Sequence, residues 1–181
     1  STLKTGTYYL NYRVDSSYQV KESDENNNVS YHEIKVVAVP DLYAYYVKSS
    51  TSKPSTGQTV TVSWYVLNNW YETSAKSTVR FVLSKDTKYS NDDVKVGEVD
   101  VAALAYKKAA SGNLKVVIPT TTTGTWQLLM IVDPDDKQFE RLENNNIRYT
   151  TLTITAVPDI AVTALSVTPS KAKGGTQVTL T

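Results

Sequence analysis

The sequence has no cysteine, one histidine and only seven glycines among 181 residues. The lack of cysteine excludes disulfides, thiolate metal sites and cysteine nucleophiles together. It leaves the compartment open, because many secreted bacterial proteins avoid cysteine. No apolar run approaches the roughly 20 residues that a membrane-spanning helix needs, so we predict no membrane span. Because the chain starts at Ser1 rather than methionine, we expect it to be processed or excerpted from a longer protein.

An excess of charge of one sign is also lacking. The formal net charge is +1, and lysine and arginine are spread along the chain rather than clustered. Binding to a phosphate backbone depends on clustered cations, so nucleic acid is not a predicted partner.

The residues that catalysis usually requires are scarce. His32 lies in a predicted strand, where a lone histidine is typical of a surface position. The sequence has no Gly-x-Ser-x-Gly turn, phosphate-binding loop or metal-spaced histidine pair. Glu140 and Glu143 have the chemistry of an acid–base pair, but they belong to a turn that the chain repeats. We therefore predict that the protein is not an enzyme.

The residues that are present favour β-structure. Thirteen tyrosines accompany abundant threonine, serine and valine, and these residue types suit pleated, half-buried strands. Apolar and polar residues alternate in seven short segments, a pattern that indicates strands with one buried face. The segments are Leu42–Val47, Thr59–Val66, Ser77–Leu83, Val94–Val99, Leu114–Ile118, Trp126–Val132 and Ile147–Ile154. Seven such strands predict an all-β, immunoglobulin-like sandwich. For Val101–Ala110 we predict a loop with one turn of helix.

The end of the chain repeats its beginning at one fixed offset. Gly6 and Gly124 are 118 residues apart (124 − 6 = 118), and about a third of the positions paired at this distance are identical. The longest shared segments are Glu25-Asn26-Asn27-Asn28 with Glu143-Asn144-Asn145-Asn146, and Ala38-Val39-Pro40-Asp41 with Ala156-Val157-Pro158-Asp159. A fixed period of this length indicates tandem domains.

The repeat divides the chain into three parts. We predict the last strands of a preceding repeat in residues 1–39, a complete repeat in 40–157, and the first strands of a following repeat in 158–181. The Pro-Asp pairs mark the boundaries, because proline interrupts strand pairing. The partial repeats would expose apolar faces, which an isolated hairpin cannot stabilise. Either the chain is cut from a longer array, which we favour, or strands of another chain cover these faces.

The order of these motifs resembles the CARDB family (cell adhesion related domain found in bacteria). The resemblance rests on Gly-Thr-x-x-Leu-x-x-x-Val-Asp, Glu-x-x-Glu-Asn-Asn and Pro-Asp-Leu/Ile, and on Val60–Val66 leading to Asn68. It implies a seven-stranded sandwich found in tandem in secreted or surface proteins of prokaryotes, with a role in adhesion or spacing and no catalytic residues. Trp70-Tyr71 departs from the family, which usually has glycine there.

The acidic, asparagine-rich segment between the last two strands has two interpretations. Short Asx side chains bond to nearby backbone groups, so Glu25, Asn26, Asn27, Asn28 and their counterparts Glu143, Asn144, Asn145, Asn146 are predicted to form a structural turn. The alternative is a calcium site, because calcium takes six to eight oxygens. Its candidate ligands are Asp133, Asp135, Asp136, Glu140 and Glu143. We otherwise expect no cofactor. An autocatalytic Lys–Asn crosslink would need a buried lysine, and no lysine clearly occupies a buried face.

Several aromatic and junction residues are candidates for contacts with partners. Strict alternation places the tyrosines of Leu42–Val47 on both faces of one strand. Exposed aromatics are enriched at protein contacts and can also stack on sugars. The predicted interface residues are Tyr43, Tyr45, Trp70, Pro40, Asp41, Pro158 and Asp159. Predicted partners are neighbouring repeats in a stalk or filament, or else a surface protein or glycan. A further alternative is that the chain is a non-catalytic appendage of a secreted hydrolase. The predicted location is extracellular or at the cell surface.

Overall fold

The structure is a computed structural model that describes residues 3–158, 160–161, 164–168, 170–177 and 179–180. These residues form strands and loops without a helix, and none of their segments is a helix that could span a membrane. The strands are β1 (Gly6–Arg13), β2 (Val29–Val36), β3 (Leu42–Ser49), β4 (Thr59–Asn68), β5 (Ser77–Ser84), β6 (Val94–Val101), β7 (Ala109–Val117), β8 (Gly124–Val132), β9 (Ile147–Ile154), β10 (Val167–Thr168) and β11 (Thr179–Leu180).

Strands β3 to β9 form two antiparallel sheets. One sheet has the order β3-β4-β7 and the other β6-β5-β8-β9. The inward faces of both sheets supply one hydrophobic core, in which Val62, Val66, Phe81 and Met130 are fully buried. The predicted all-β sandwich with immunoglobulin-like architecture is confirmed.

Strand β4 shows how alternation produces this core. Val60, Val62, Trp64 and Val66 all point inward and are buried, because successive side chains of a strand face opposite sides of the sheet. The next inward position is Asn68, which is also fully buried. A polar residue therefore continues an otherwise apolar face at the end of the strand.

Strand β3 departs from simple alternation. Its register with β4 shifts between Ala44 and Tyr46, which marks a β-bulge. Ala44 and Val47 are buried, whereas Tyr45 and Tyr46 are both exposed, because a bulge adds one residue and changes which side chains face out. The expectation that the tyrosines of this strand occupy both faces is therefore wrong.

The segment between β6 and β7 contains no helical turn. Residues 102–108 form a loop with a hydrogen-bonded turn at Tyr106-Lys107, and β7 begins at Ala109. Lys107 has a φ of 58°, a left-handed conformation that is unfavourable for a residue with a side chain. The prediction of one turn of helix in Val101–Ala110 is wrong. Val101 belongs to β6, the left-handed φ of Lys107 is incompatible with a right-handed helix, and residues 109–110 pair with β4.

Strands β1 and β2 form a hairpin that reproduces the β8–β9 hairpin 118 residues later. Gly6 pairs with Val36 in the first hairpin, as Gly124 pairs with Ile154 in the second. The connecting turns agree in detail, because Asp15 and Asp133 have φ angles of 44° and 47°. The two hairpins differ in burial. Leu10 is 61% exposed, whereas its counterpart Leu128 is 2% exposed.

Candidate functional site

Three loops meet at one end of the sandwich, where the chain enters the complete repeat. They are residues 69–76, 102–108 and 133–146, and together with Pro40-Asp41 we call them the loop end. The backbone N–H of Asn69 donates to the carbonyl of Asp41 at 2.7 Å, and that of Arg141 donates to the carbonyl of Pro40 at 2.9 Å. The entry segment is therefore bonded to two of the loops.

Asn68 joins the loops from within. Its side-chain amide donates to the carbonyls of Glu72 at 2.6 Å and Leu104 at 2.7 Å. Its Oδ1 atom accepts from the backbone N–H groups of Asp41 and Trp70, each at 3.1 Å. One fully buried side chain thus satisfies four backbone groups, which a loop end excluded from water requires.

Asp41 is fully buried beside Asn68. The side-chain amide of Asn145 donates to Asp41 Oδ1 at 2.9 Å, and the backbone N–H of Ala44 donates to the carbonyl of Asn145 at 3.1 Å. Within the described part of the chain, Asp41 Oδ2 and Asn145 Oδ1 are buried without a hydrogen-bond partner. The contact fixes the asparagine-rich loop against the start of β3.

Glu140 is the most perturbed acid of the loop end. Its carboxylate accepts from the backbone N–H of Leu42 and from the side-chain amide of Asn146, the latter at 3.1 Å. The side chain is buried, and this burial raises the pKa of Glu140 from 4.5 to about 7 although both hydrogen bonds oppose the change.

The asparagine-rich turn is held by short-range bonds that recur in both hairpins. Glu143 Oε1 accepts from the backbone N–H of Glu140 at 2.7 Å, and Glu25 accepts in the same way from Glu22 at 3.0 Å. Asp133 Oδ2 accepts from the backbone N–H of Gln138 at 2.8 Å. These bonds are of the kind that Asx and acidic side chains form in structural turns.

The side chains of four of the five predicted calcium ligands, all except Asp136, have other partners among the described residues. Asp135 pairs with Lys137 at 2.9 Å and with Arg80 at 3.1 Å, and these cations, Lys137 above all, hold the pKa of Asp135 below its usual range. Glu140 faces inward to Leu42. Asp133, Asp136 and Glu143 line one shallow cavity of about 210 Å³. Across the described residues, however, no three acidic, histidine or cysteine side chains are placed to hold a metal ion.

The outer surface of the loop end carries aromatic rings and cations. The rings of Trp70 and Tyr71 are 4.9 Å apart, and those of Tyr71 and Tyr106 are 4.5 Å apart. We call these three residues the aromatic ledge. The guanidinium of Arg141 lies 3.9 Å from the centre of the Trp70 ring, and the ammonium of Lys107 lies 5.2 Å from that of Tyr106. Of these five, the sequence drew attention only to Trp70 and the adjacent Tyr71, and only Trp70 was predicted as an interface residue. Tyr106, Lys107 and Arg141 come from loops far away in the chain.

The remaining predicted interface residues occupy different parts of the repeat. Tyr43 and Tyr45 lie on the outer face of the three-stranded sheet, where Tyr45 also contacts the ring of Tyr65 at 5.4 Å. Pro40 and Asp41 are buried in the loop end, and Pro158 is exposed. Asp159 lies outside the described residues. The structure therefore does not bring the predicted set together at one surface.

The two antiparallel sheets packed around one core define a β-sandwich module. A family model named CARDB matches residues 39–150, which is more than half of the chain. The chain therefore belongs to the CARDB family, whose members are cell-adhesion-related domains. A comparison with curated protein sequences gives no match.

Two solved structures of one CARDB domain show the same fold. A crystal structure of the CARDB domain of a Pyrococcus furiosus protein, described as a complex with di-metal ions, is 17% identical and has a TM-score of 0.52. The alignment covers 68% of this chain and 100% of that domain. A solution structure of the same domain gives a TM-score of 0.53 at 17% identity, and it covers 66% and 98% of the two chains. A cell-surface protein domain from Methanosarcina acetivorans is 22% identical with a TM-score of 0.46, over 64% and 92%.

Proposed function

We propose that this chain is part of an extracellular stalk or filament in which CARDB repeats act as closely spaced structural units. The single observation that carries the proposal is the β1–β2 hairpin, which has the register and turn of the β8–β9 hairpin but an uncovered apolar face. A hairpin with such a face is marginally stable alone and becomes stable when other strands pack on that face. Its natural cover is the remainder of a preceding repeat.

Exposed apolar residues of the β1–β2 hairpin correspond, 118 residues later, to core residues of the β8–β9 hairpin. Ile34 is 40% exposed, and its counterpart Leu152 is 1% exposed. In the complete repeat, Leu152 belongs to the core formed by both sheets. Burying apolar area of this kind stabilises a fold by about 25 cal/mol per Å². A preceding repeat would therefore gain much of its stability from this hairpin.

The exit from the complete repeat supports close spacing of the units. The backbone N–H of Thr56 donates to the carbonyl of Thr155 at 2.9 Å, and that of Val157 donates to the hydroxyl of Thr56 at 3.2 Å. The chain is thus bonded to its own repeat up to the residue before Pro158. A junction this short restricts the angle between successive units more than a flexible linker would.

The test is a chimera that supplies the missing cover. Residues 40–118 are placed ahead of Ser1, because the counterpart of Ser1 in the complete repeat is Pro119. Amide hydrogen exchange then compares β1 in the chimera and in the original chain. We expect β1 to be strongly protected only in the chimera, since its equivalent β8 pairs with β5 as well as with β9.

A matched control carries Phe81→Asp in the added segment alone. Phe81 is fully buried in the complete repeat, so this charge prevents the added strands from folding. Protection of β1 should then be lost. If β1 exchanges equally fast in the chimera and the original chain, the hairpin is not part of a repeat that these strands complete, and the tandem proposal fails.

A further inference from the structure

Arg141 and Lys107, the cations beside the aromatic ledge, have no acidic partner in the part of the chain that the structure describes. Every ion pair among the described residues involves Arg80, Lys95 or Lys137. Arg141 and Lys107 instead lie over the rings of Trp70 and Tyr106. A cation stacked on a ring keeps its positive charge and its outward N–H donors. The surface therefore presents aromatic faces and unneutralised positive charge together.

The surface is also held in place before any ligand arrives. The N–H of Trp70 is bonded to the buried Asn68 side chain, and the N–H of Lys107 donates to the Asn68 carbonyl at 2.9 Å. This second bond helps to hold Lys107 in its left-handed conformation. Unfavourable backbone conformations of this kind persist where the surroundings impose them, often at functional sites. Preorganised groups lose less entropy on binding.

We propose that the aromatic ledge, with Arg141 and Lys107, binds an acidic polysaccharide. The apolar faces of sugar rings would stack on Tyr71 and its neighbours, and carboxylate groups along the polymer would pair with the two cations. Tyr71 is 68% exposed, so its ring is accessible for stacking. A neutral glycan has no charge to pair with the two cations, and a peptide of acidic residues alone has no ring to stack on the aromatic ledge.

Charge complementarity favours an acidic polysaccharide over two other candidates for this surface, which are the preceding segment of the chain and a nucleic acid. The residues that directly precede the complete repeat are Val37, Ala38 and Val39, which carry no carboxylate to neutralise Arg141. Nucleic acid is disfavoured because the formal net charge is only +1, with the basic residues dispersed. The binding site does not depend on the tandem proposal, since every residue in it belongs to the complete repeat.

The experiment measures binding of the whole 181-residue chain to three polymers by calorimetry at low salt. They are polygalacturonate, its fully methyl-esterified form and poly-glutamate. We expect polygalacturonate to bind more tightly than either control by about tenfold or more. The first control polymer keeps the sugar and removes the charge. The second keeps the charge and removes the sugar.

Variants locate the site. Arg141→Gln combined with Lys107→Gln should weaken polygalacturonate binding by about tenfold or more, and Tyr71→Ala should also weaken it. The matched control is Lys85→Gln, because Lys85 lies 3.7 Å from the centre of the Trp126 ring at the opposite end of the sandwich. That variant should bind as the original chain does.

Three results would each overturn the proposal. The first is that the original chain does not bind polygalacturonate. The second is equal binding to polygalacturonate and either control polymer. The third is an equal loss in the Lys85→Gln variant and in the double variant. Circular dichroism of each variant establishes that it is folded before its affinity is compared.

Discussion

The buried carboxylate of Glu140 accepts a hydrogen bond from the backbone N–H of Leu42, the first residue of β3. These residues are 98 positions apart in the chain, and their contact joins the asparagine-rich loop to the start of the repeat. Asn145 makes a second link of this kind through Asp41. The asparagine-rich loop therefore closes the loop end of the sandwich in addition to connecting two strands.

Glu140 should make the stability of the repeat depend on pH. Its pKa is raised to about 7 in the folded protein, against 4.5 for an ordinary glutamate. The folded state therefore holds this proton more tightly than the unfolded state does. The stabilisation from protonated Glu140 is complete below about pH 4.5 and is lost as pH rises through about 7. We expect the free energy of unfolding to fall by about 3 kcal/mol across this interval, as measured by urea denaturation.

The variant Glu140→Gln should remove this dependence, because glutamine stays neutral throughout. Its amide can be accommodated if Asn146 reverses its own amide, whose Oδ1 atom has no partner in the described residues. Glu22→Gln, at the corresponding position of the first hairpin, is the control and should leave the pH profile unchanged. A Glu140→Gln variant with an unchanged profile would show that another group titrates.

Replacing Asn68 should destabilise the whole repeat. Asn68→Ala leaves four backbone groups of the loop end without a side-chain partner. Each buried group left unsatisfied costs about 1–3 kcal/mol, so we expect a total loss of more than about 3 kcal/mol. Asn69→Ala is the control, because Asn69 is exposed. Thermal unfolding of both variants measures the difference, and similar melting temperatures would contradict the assigned role.

Equivalent asparagines in the two hairpins should differ in importance. Asn145 donates to the buried Asp41, whereas its counterpart Asn27 is exposed. We expect Asn145→Ala to lower the free energy of unfolding by at least about 1 kcal/mol and Asn27→Ala to leave it unchanged. Chemical denaturation of the two single variants is the test. Equal effects would mean that the asparagine run acts only through local turn structure.

Calcium should not stabilise the repeat. Asp133 Oδ2 already accepts from Gln138 at 2.8 Å, Asp135 is paired with Lys137, and Glu140 is buried. We therefore expect the melting temperature to be the same with excess calcium and with a chelator. A rise with calcium that Asp133→Asn or Asp136→Asn abolishes would restore the predicted calcium site.

Local patterns predicted the strands well and the special positions poorly. The alternation in Thr59–Val66 correctly identified the buried face of β4, and the next inward position, Asn68, could have been recognised as a buried polar residue from the same alternation. The bulge in β3 could not have been recognised from the sequence, because nothing in Tyr45-Tyr46 distinguishes a bulge from a regular strand. The turn at Tyr106-Lys107 was missed for a similar reason: its conformation is held by Asn68, about forty residues earlier.

The sequence by itself determined the fold class and the family, because side-chain periodicity and fixed motif spacing are local properties of the chain. Only the tertiary structure decided which residues share a surface. Trp70, Tyr106 and Arg141 come from three different loops, and they meet because sheet pairing brings those loops to the same end of the sandwich. Burial likewise separates Glu140 from Glu22, since the same local motif is covered by β3 in one hairpin and remains partly exposed in the other.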